Sequence, residues 1–243
     1  MLTVDFDRFP VQSGDLVLDM GCGAGRHAFA LARQGVDVIA LDMDAKELAG
    51  VSEMLEAMRV EREIPPGSVT AAVRGNAYTL PFPDATFDRI VAAEVLEHLP
   101  EDTTAMAELA RVLKPGGMIA VSVPRWLPEK VCWALSDDYH EVEGGHVRIY
   151  KGSQLSDRLT STGLIQLDEH HAHGLHAPYW WLKCAVGVEN NDNRLVDAYH
   201  RILVWDMMRA PRLTRLTERA LNPLIGKSLV VYLSKPERAD VTV

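Results

Sequence analysis

From about residue 15 to residue 124, short apolar runs alternate with stretches whose apolar residues recur at helical spacing. That alternation predicts βαβ units and a parallel sheet. Residues 16–19 read as a first strand, 26–34 as a helix stopped by Gly35, and 37–41 as a second strand. Asp44 is placed to cap the next helix, with Glu47 three residues on as in a capping box. In that helix Leu48, Val51, Leu55 and Met58 share the face that should meet the sheet. Pro65-Pro66-Gly67 breaks the pattern, and residues 69–73 and 87–92 follow as strands. A helix over 103–113 stops at Pro115-Gly116-Gly117, and 118–123 is a fifth strand.

The remainder is less regular. A helix over 153–162 and a strand over 165–170 precede a long helical stretch at about 178–223, rich in tryptophan and methionine. Residues 228–233 give a last strand, and 235–243 read as a frayed tail. The expected architecture is α/β: a Rossmann-like, doubly wound, seven-stranded and mostly parallel sheet with a C-terminal helical insertion. All of 1–243 reads as one domain, with a core over 1–124 and an acceptor-side region over 125–243. Few residues precede the first strand, so the insertion is the segment expected to shield a bound ligand.

Composition narrows the classes. Hydrophobic residues make up 47% of the 243, enough for a packed core. The net charge is −9 with no basic block, which argues against a nucleic-acid partner. Cys22, Cys132 and Cys184 form no CxxC pair, which suits a reducing cytoplasm and neither a disulfide scaffold nor a cysteine zinc site. The first ten residues do not read as a signal peptide, and no run reaches the roughly 20 apolar residues of a membrane span. Peripheral lipid contact is left open.

The chemistry concentrates in Val17-Leu18-Asp19-Met20-Gly21-Cys22-Gly23-Ala24-Gly25. A buried strand runs into a turn of three glycines, and a helix begins at once. Such a turn lets backbone touch a ligand, and the helix start adds free N–H groups. Arg26 stands where GxGxxG would place its third glycine. Asp42 ends the second strand, 19 residues beyond Gly23, where a carboxylate can accept from both hydroxyls of a ribose. Asp44 is the better helix cap, which frees Asp42 for a ligand.

The string VLDMGCGAGRH resembles motif I of class I methyltransferases. Asp42, GNAYTLPFPDATFDRIVAAEVLEHLPE and RVLKPGGMIAVSVP follow in the family's order. The wording is similar to the subfamily of ubiquinone and menaquinone C-methyltransferases and many small-molecule O- and N-methyltransferases. The resemblance implies S-adenosylmethionine as cofactor. It implies that Asp19, Gly21, Cys22, Gly23 and Gly25 surround the methionine moiety, that Asp42 holds the ribose and that Met43 packs on the adenine. Asn76 and Ala77 would meet the adenine edge, and Glu94 and His98 would border the site. Relatives usually carry aspartate where this chain has Asn76; an amide oxygen still accepts from an exocyclic amine.

An acceptor hydroxyl needs a base, and histidine is suited to neutral pH. His140 and His146 fall after the fifth strand, at the carboxyl edge of the sheet, and are the preferred catalytic candidates. Arg148 or Asp138 would orient them. Four more histidines lie in 168–176. Strand alternation puts His171 and His173 on one face and His170 on the other. Partly exposed histidines at a strand end are the plainest reading, ahead of acceptor contacts or metal ligands, and no metal is assigned. The reading is therefore methyl transfer to a small-molecule acceptor, O-methylation first, with N- or C-methylation as alternatives. A nicotinamide oxidoreductase is disfavoured by the glycine spacing. A non-catalytic cofactor-binding module is disfavoured by the filled acceptor loop.

Overall fold

The computed structural model describes residues 2–141, 145–190, 192–209 and 211–237. Apolar five- to seven-residue runs form the inner strands β1 (Leu16–Met20), β2 (Asp37–Asp42) and β4 (Phe87–Ala93) and the edge strand β3 (Thr70–Arg74). They are joined by α1 (Arg26–Arg33) and α2 (Ala45–Val60). Then come α3 (Asp102–Val112), β5 (Leu113–Pro124), α4 (Trp126–Leu135), α5 (Gln154–Thr160) and β6 (Ile165–Ala172). Three helices, α6 (His176–Val186), α7 (Arg194–Arg209) and α8 (Arg212–Ile225), lead to β7 (Ser228–Ser234).

The strand order is β3-β2-β1-β4-β5-β7-β6. Only β7 runs against its neighbours, pairing antiparallel with both β5 and β6. The chain reverses direction across the sheet between β1 and β4, so a crevice opens at the carboxyl ends of these strands. Both faces are covered, and the inner strands are accordingly apolar on both sides. Leu18, Met20, Ile90 and Val121 pack under α3 and α5, while Val17, Val38 and Val91 pack under α1 and α2.

Local signals explain the element ends. Asp44 Oδ1 accepts from the N–H of Lys46 and Glu47 and starts α2. Leu48, Val51, Leu55 and Met58 are its buried residues. Other expectations shift. Val69 lies outside β3, because its N–H is taken by Asp37 Oδ1 at 2.7 Å. The fifth strand starts earlier, at Leu113, and α4 was not anticipated. The helical stretch divides into three, broken after Val186 by Gly187 and before Arg212 by Pro211. No helix among the described residues is long and apolar enough to cross a membrane.

Residues 3–9 cross the α1 side of the sheet. Phe9 is fully buried, and the Asp5 N–H donates to Tyr232 Oη on β7 at 2.9 Å. Thr3 and Val4 N–H both donate to His27 Nε2, at 3.3 and 3.4 Å. The segment thus ends beside the crevice rather than away from it.

Candidate active site

The glycine turn after β1 is held from three sides. Gly21 and Cys22 N–H donate to Leu41 O at 2.7 and 3.0 Å, and Gly23 N–H donates to Asp42 Oδ2 at 2.9 Å. Beneath it the Asp19 carboxylate accepts from Ala28 N–H at 2.8 Å. Burial raises the Asp19 carboxyl to about 7, against the pull of that N–H and of Arg26. Asp19 therefore braces the turn from the interior, and Cys22, buried with its thiol raised to about 12 by burial, does the same from its own side. Gly21 has φ +69, and a Cβ there would lie 2.4 Å from Val95 Cγ2. The turn can only have this shape with glycine.

A cleft of about 380 Å³ opens above the turn. Gly21, Gly23, Asp42 and Met43 form one wall, Asn76, Ala77 and Tyr78 another, and Glu94, Val95, His98 and Leu99 the third. Asp42 Oδ1 accepts from Asp44 N–H at 2.9 Å, so each oxygen has one backbone donor and a further lone pair for a ligand. Met43 is 72% exposed at the rim, an apolar side chain placed for a flat ring to cover. Asn76 Oδ1 accepts from Tyr78 N–H at 2.9 Å, which fixes the amide and leaves one lone pair. A carboxylate for a diol, an apolar slot and a backbone cradle that a Cβ would fill fit a nucleoside joined to an amino acid. The expected cofactor residues Gly21, Gly23, Asp42, Met43, Asn76, Ala77, Glu94 and His98 are brought together here; Asp19, Cys22 and Gly25 lie behind the wall.

Glu94 ends β4 with φ +58, a conformation costly for a residue with a side chain. Ser122 holds it twice: its carbonyl accepts from Glu94 N–H at 2.9 Å and its hydroxyl donates to Glu94 Oε1 at 2.8 Å. Glu94 also lines a second cavity of about 270 Å³, with Thr3, Arg26, His173, His176, Trp180, Met207 and Lys227. It is therefore the partition between the two spaces. The Lys227 ammonium lies 5.4 Å from the Trp180 ring centre, against its π face.

The two preferred histidines part company. His146 Nδ1 meets Glu129 Oε1 at 2.5 Å, and its ring lies edge to face with His98, 4.8 Å between centres. Glu129 is fully buried and also accepts from Trp133 Nε1 and Tyr139 Oη. Burial would raise its carboxyl, but the His146 bond, Lys227 and Trp133 outweigh it and hold Glu129 below its ordinary value. His140 instead stacks on Trp133 at 4.3 Å, with Nδ1 3.3 Å from Ser136 O; neither His140 nor His146 lines either cavity, and His146 reaches the cofactor cleft only through its contact with His98. Arg148 does not orient a histidine as expected: its guanidinium donates to the carbonyls of Leu96, Leu99 and Pro100. Asp137 and Asp138 are exposed in a short turn.

The 168–176 histidines also separate. His170 stacks on Tyr232 at 5.6 Å. His173 does not share the strand with His171 as alternation predicted: β6 ends at Ala172, and His173 turns away with φ +66. It faces His176 at 5.4 Å in the second cavity, with Nε2 3.0 Å from Thr3 Oγ1. Burial, His176 and Arg26 hold the His173 imidazole well below its ordinary range, and burial with Lys227 lowers His176 to about 4. Among the described residues three groups, Glu97–His98–His146, His173–His176–Glu218 and the more exposed Asp137–His140–Glu141, each gather ligand-type atoms within 4.8 Å.

Sequence reasoning missed Glu129 and Lys227 as site residues, whereas Trp180 and Met207, from the stretch expected to shield a ligand, line the second cavity. Glu129 sits in a helix that carries no motif, and Lys227 precedes a strand more than a hundred residues from β4. Glu97 was passed over inside the EVLEH run; it is fully buried with neither oxygen hydrogen-bonded, and burial and Glu94 raise its carboxyl well above normal.

Fold and cleft together define a class I, S-adenosylmethionine-dependent methyltransferase domain. Residues 18–121 match the model of the family described as Methyltransferase domain. Over 153 residues the chain is 34% identical to the sterol 24-C-methyltransferase of Eremothecium gossypii, covering 63% of this chain and 37% of that protein. Over 173 residues it is 28% identical to the 27-O-demethylrifamycin SV methyltransferase of Amycolatopsis mediterranei, covering 70% and 61% respectively. The chain thus spans less than two thirds of either relative. A SAM-dependent methyltransferase structure from Methanosarcina mazei superposes with a TM-score of 0.64 over 98% of this chain and 100% of that one. At 16% identity that likeness shows the fold alone.

Proposed function

We propose that the protein transfers the methyl group of S-adenosylmethionine to a hydroxyl of a small-molecule acceptor. When bound, the sulfonium supplies the activated methyl and its own leaving group. The chain aligns the acceptor, excludes water and takes the proton. Asp42 would hold the ribose, Met43 the adenine face, and the Gly21–Gly23 turn the amino-acid end.

The observation that carries the hydroxyl reading is the His146–Glu129 pair beside His98. An ionised, buried carboxylate on Nδ1 orients the ring, leaving Nε2 to accept a proton. His146→Ala is expected to lower turnover by about 100-fold or more, the usual scale for a lost general base. S-adenosylmethionine affinity should hold. S-adenosylhomocysteine formation with a panel of hydroxyl and amine metabolites reads both. Unchanged turnover in His146→Ala would remove the base assignment, and product only with amines would replace the hydroxyl.

A second reading keeps the transfer and moves the base. His173 and His176 line the cavity that Glu94 divides from the cofactor cleft, and both favour the neutral form a base requires. His176→Ala then loses turnover while His146→Ala does not. The sterol, rifamycin and other acceptors of the relatives differ among themselves, so the acceptor is left at the level of a small molecule.

A further inference from the structure

The consecutive helices α7 and α8, which turn at Pro211, both carry large apolar side chains on their outer sides. On α8, Leu213, Leu216 and Leu224 are 73%, 63% and 67% exposed, while Glu218 and the Arg215 that pairs with it turn inward. Leu213, Leu216, Ala220 and Leu224 follow the spacing of one helical face, flanked by exposed Arg212 and Arg219. On α7, Ile202, Trp205 and Met208 are likewise exposed beside Arg209. The inner side of α8 is polar, and α7 buries Asp206 beside Val196 and Leu203: Arg215 donates to the fully buried Asp206. At the far end of α8, Arg125 Nη1 donates to Leu224 O, which brings exposed Trp126 and Leu127 to the same margin.

Charge says what this face meets. Residues 194–225 hold six arginines against Asp197, Asp206 and Glu218, a net +3 on a chain of −9. Among the described residues Arg209, Arg212 and Arg219 form no ion pair. The molecule is therefore polarised, with an acidic body and a basic, apolar pair of helices. We propose that the α7–α8 pair docks on an anionic lipid surface. Leucines and Trp205 enter the boundary between headgroups and acyl chains, and the arginines meet the headgroups, while the acidic body is turned away. A second copy of the chain fits this face less well. A two-fold contact would set the patch on itself and bring Arg212 and Arg219 against their equivalents. Met207 of α7 lines the cavity at Glu94, so the docked element is also a wall of that cavity.

The test is flotation of the full chain with vesicles of phosphatidylcholine, alone or mixed with phosphatidylglycerol. The protein is expected to float with the mixed vesicles, and less as salt rises. Leu213→Glu with Leu216→Glu should abolish flotation. Arg212→Glu with Arg219→Glu should lower the partition coefficient by about 25-fold or more, at roughly fivefold for each basic residue. All four side chains are exposed, so the melting temperature serves as the control for folding. No flotation with mixed vesicles overturns the proposal. So does unchanged flotation of the charge-reversed variant, or a dimer in light scattering that the leucine changes dissociate without any vesicle binding.

Discussion

Asp42 shows how one side chain ties chain geometry to ligand chemistry. Its carboxylate takes one N–H from the glycine turn and one from the start of α2. Asp42→Ala is expected to weaken S-adenosylmethionine binding by about 1.5–3 kcal/mol, the scale of a lost charged hydrogen-bond partner. Calorimetry reads it, and an unchanged dissociation constant in the folded variant would remove the ribose assignment. Gly21→Ala tests the turn itself. Its Cβ would meet Val95 at 2.4 Å in a backbone region that disfavours side chains, so binding should fall further than in Gly23→Ala, where the space is open.

Among elements, the junction of α7 and α8 depends on a single cation. Arg215 pairs with Asp206 and Glu218, both buried. Arg215→Ala leaves these carboxyls without that partner, and breaking a buried pair from one side costs about 3–5 kcal/mol. Because Arg215 is itself partly exposed, the lower end is expected. Local opening should show as faster amide exchange in α7 and α8 with β1, β4 and β5 still protected, whereas uniform exchange throughout the chain would mean that these two helices have no separate stability. The arrangement also explains why the pattern of this stretch misleads. Its apolar period is real, but part of it marks the outer face.

For the whole molecule, buried histidines make stability depend on pH. Burial and Arg26 lower His27 from 6.5 to about 3. A lowered histidine favours the fold above the unfolded value near 6.5, and that contribution is lost as pH falls toward 3, because the unfolded chain binds the proton first. His27→Gln should flatten the slope of stability against pH around pH 5 by up to about 1.4 kcal/mol per pH unit. Urea unfolding of both proteins at several pH values measures it, and parallel curves would contradict the assignment. Asp19 acts with the opposite sign: its contribution is present below about 4 and lost as pH rises through about 7. Activity is further expected to survive a chelator. Loss restored by an added divalent ion would make one of the three groups of histidine and carboxylate side chains a metal centre.

The sequence by itself determined the sheet and its cofactor edge. The glycine turn, Asp42, Asn76 and Glu94 each stand at the end of a strand, so period and punctuation alone bring them to one crevice. Asp44 could be recognised as a cap for the same reason: its partners lie within three residues. What only the tertiary structure decided are contacts made across long separations. His146 and His140 are equal in the sequence, six residues apart in one loop; α4 gives one a buried carboxylate and the other an indole to stack on. His173 joins His176 because the backbone turns at the end of β6, and Lys227 reaches both because β7 is inserted antiparallel between β5 and β6. Local order follows from local spacing, whereas a partner for a charge is chosen by packing, which no single stretch of chain contains.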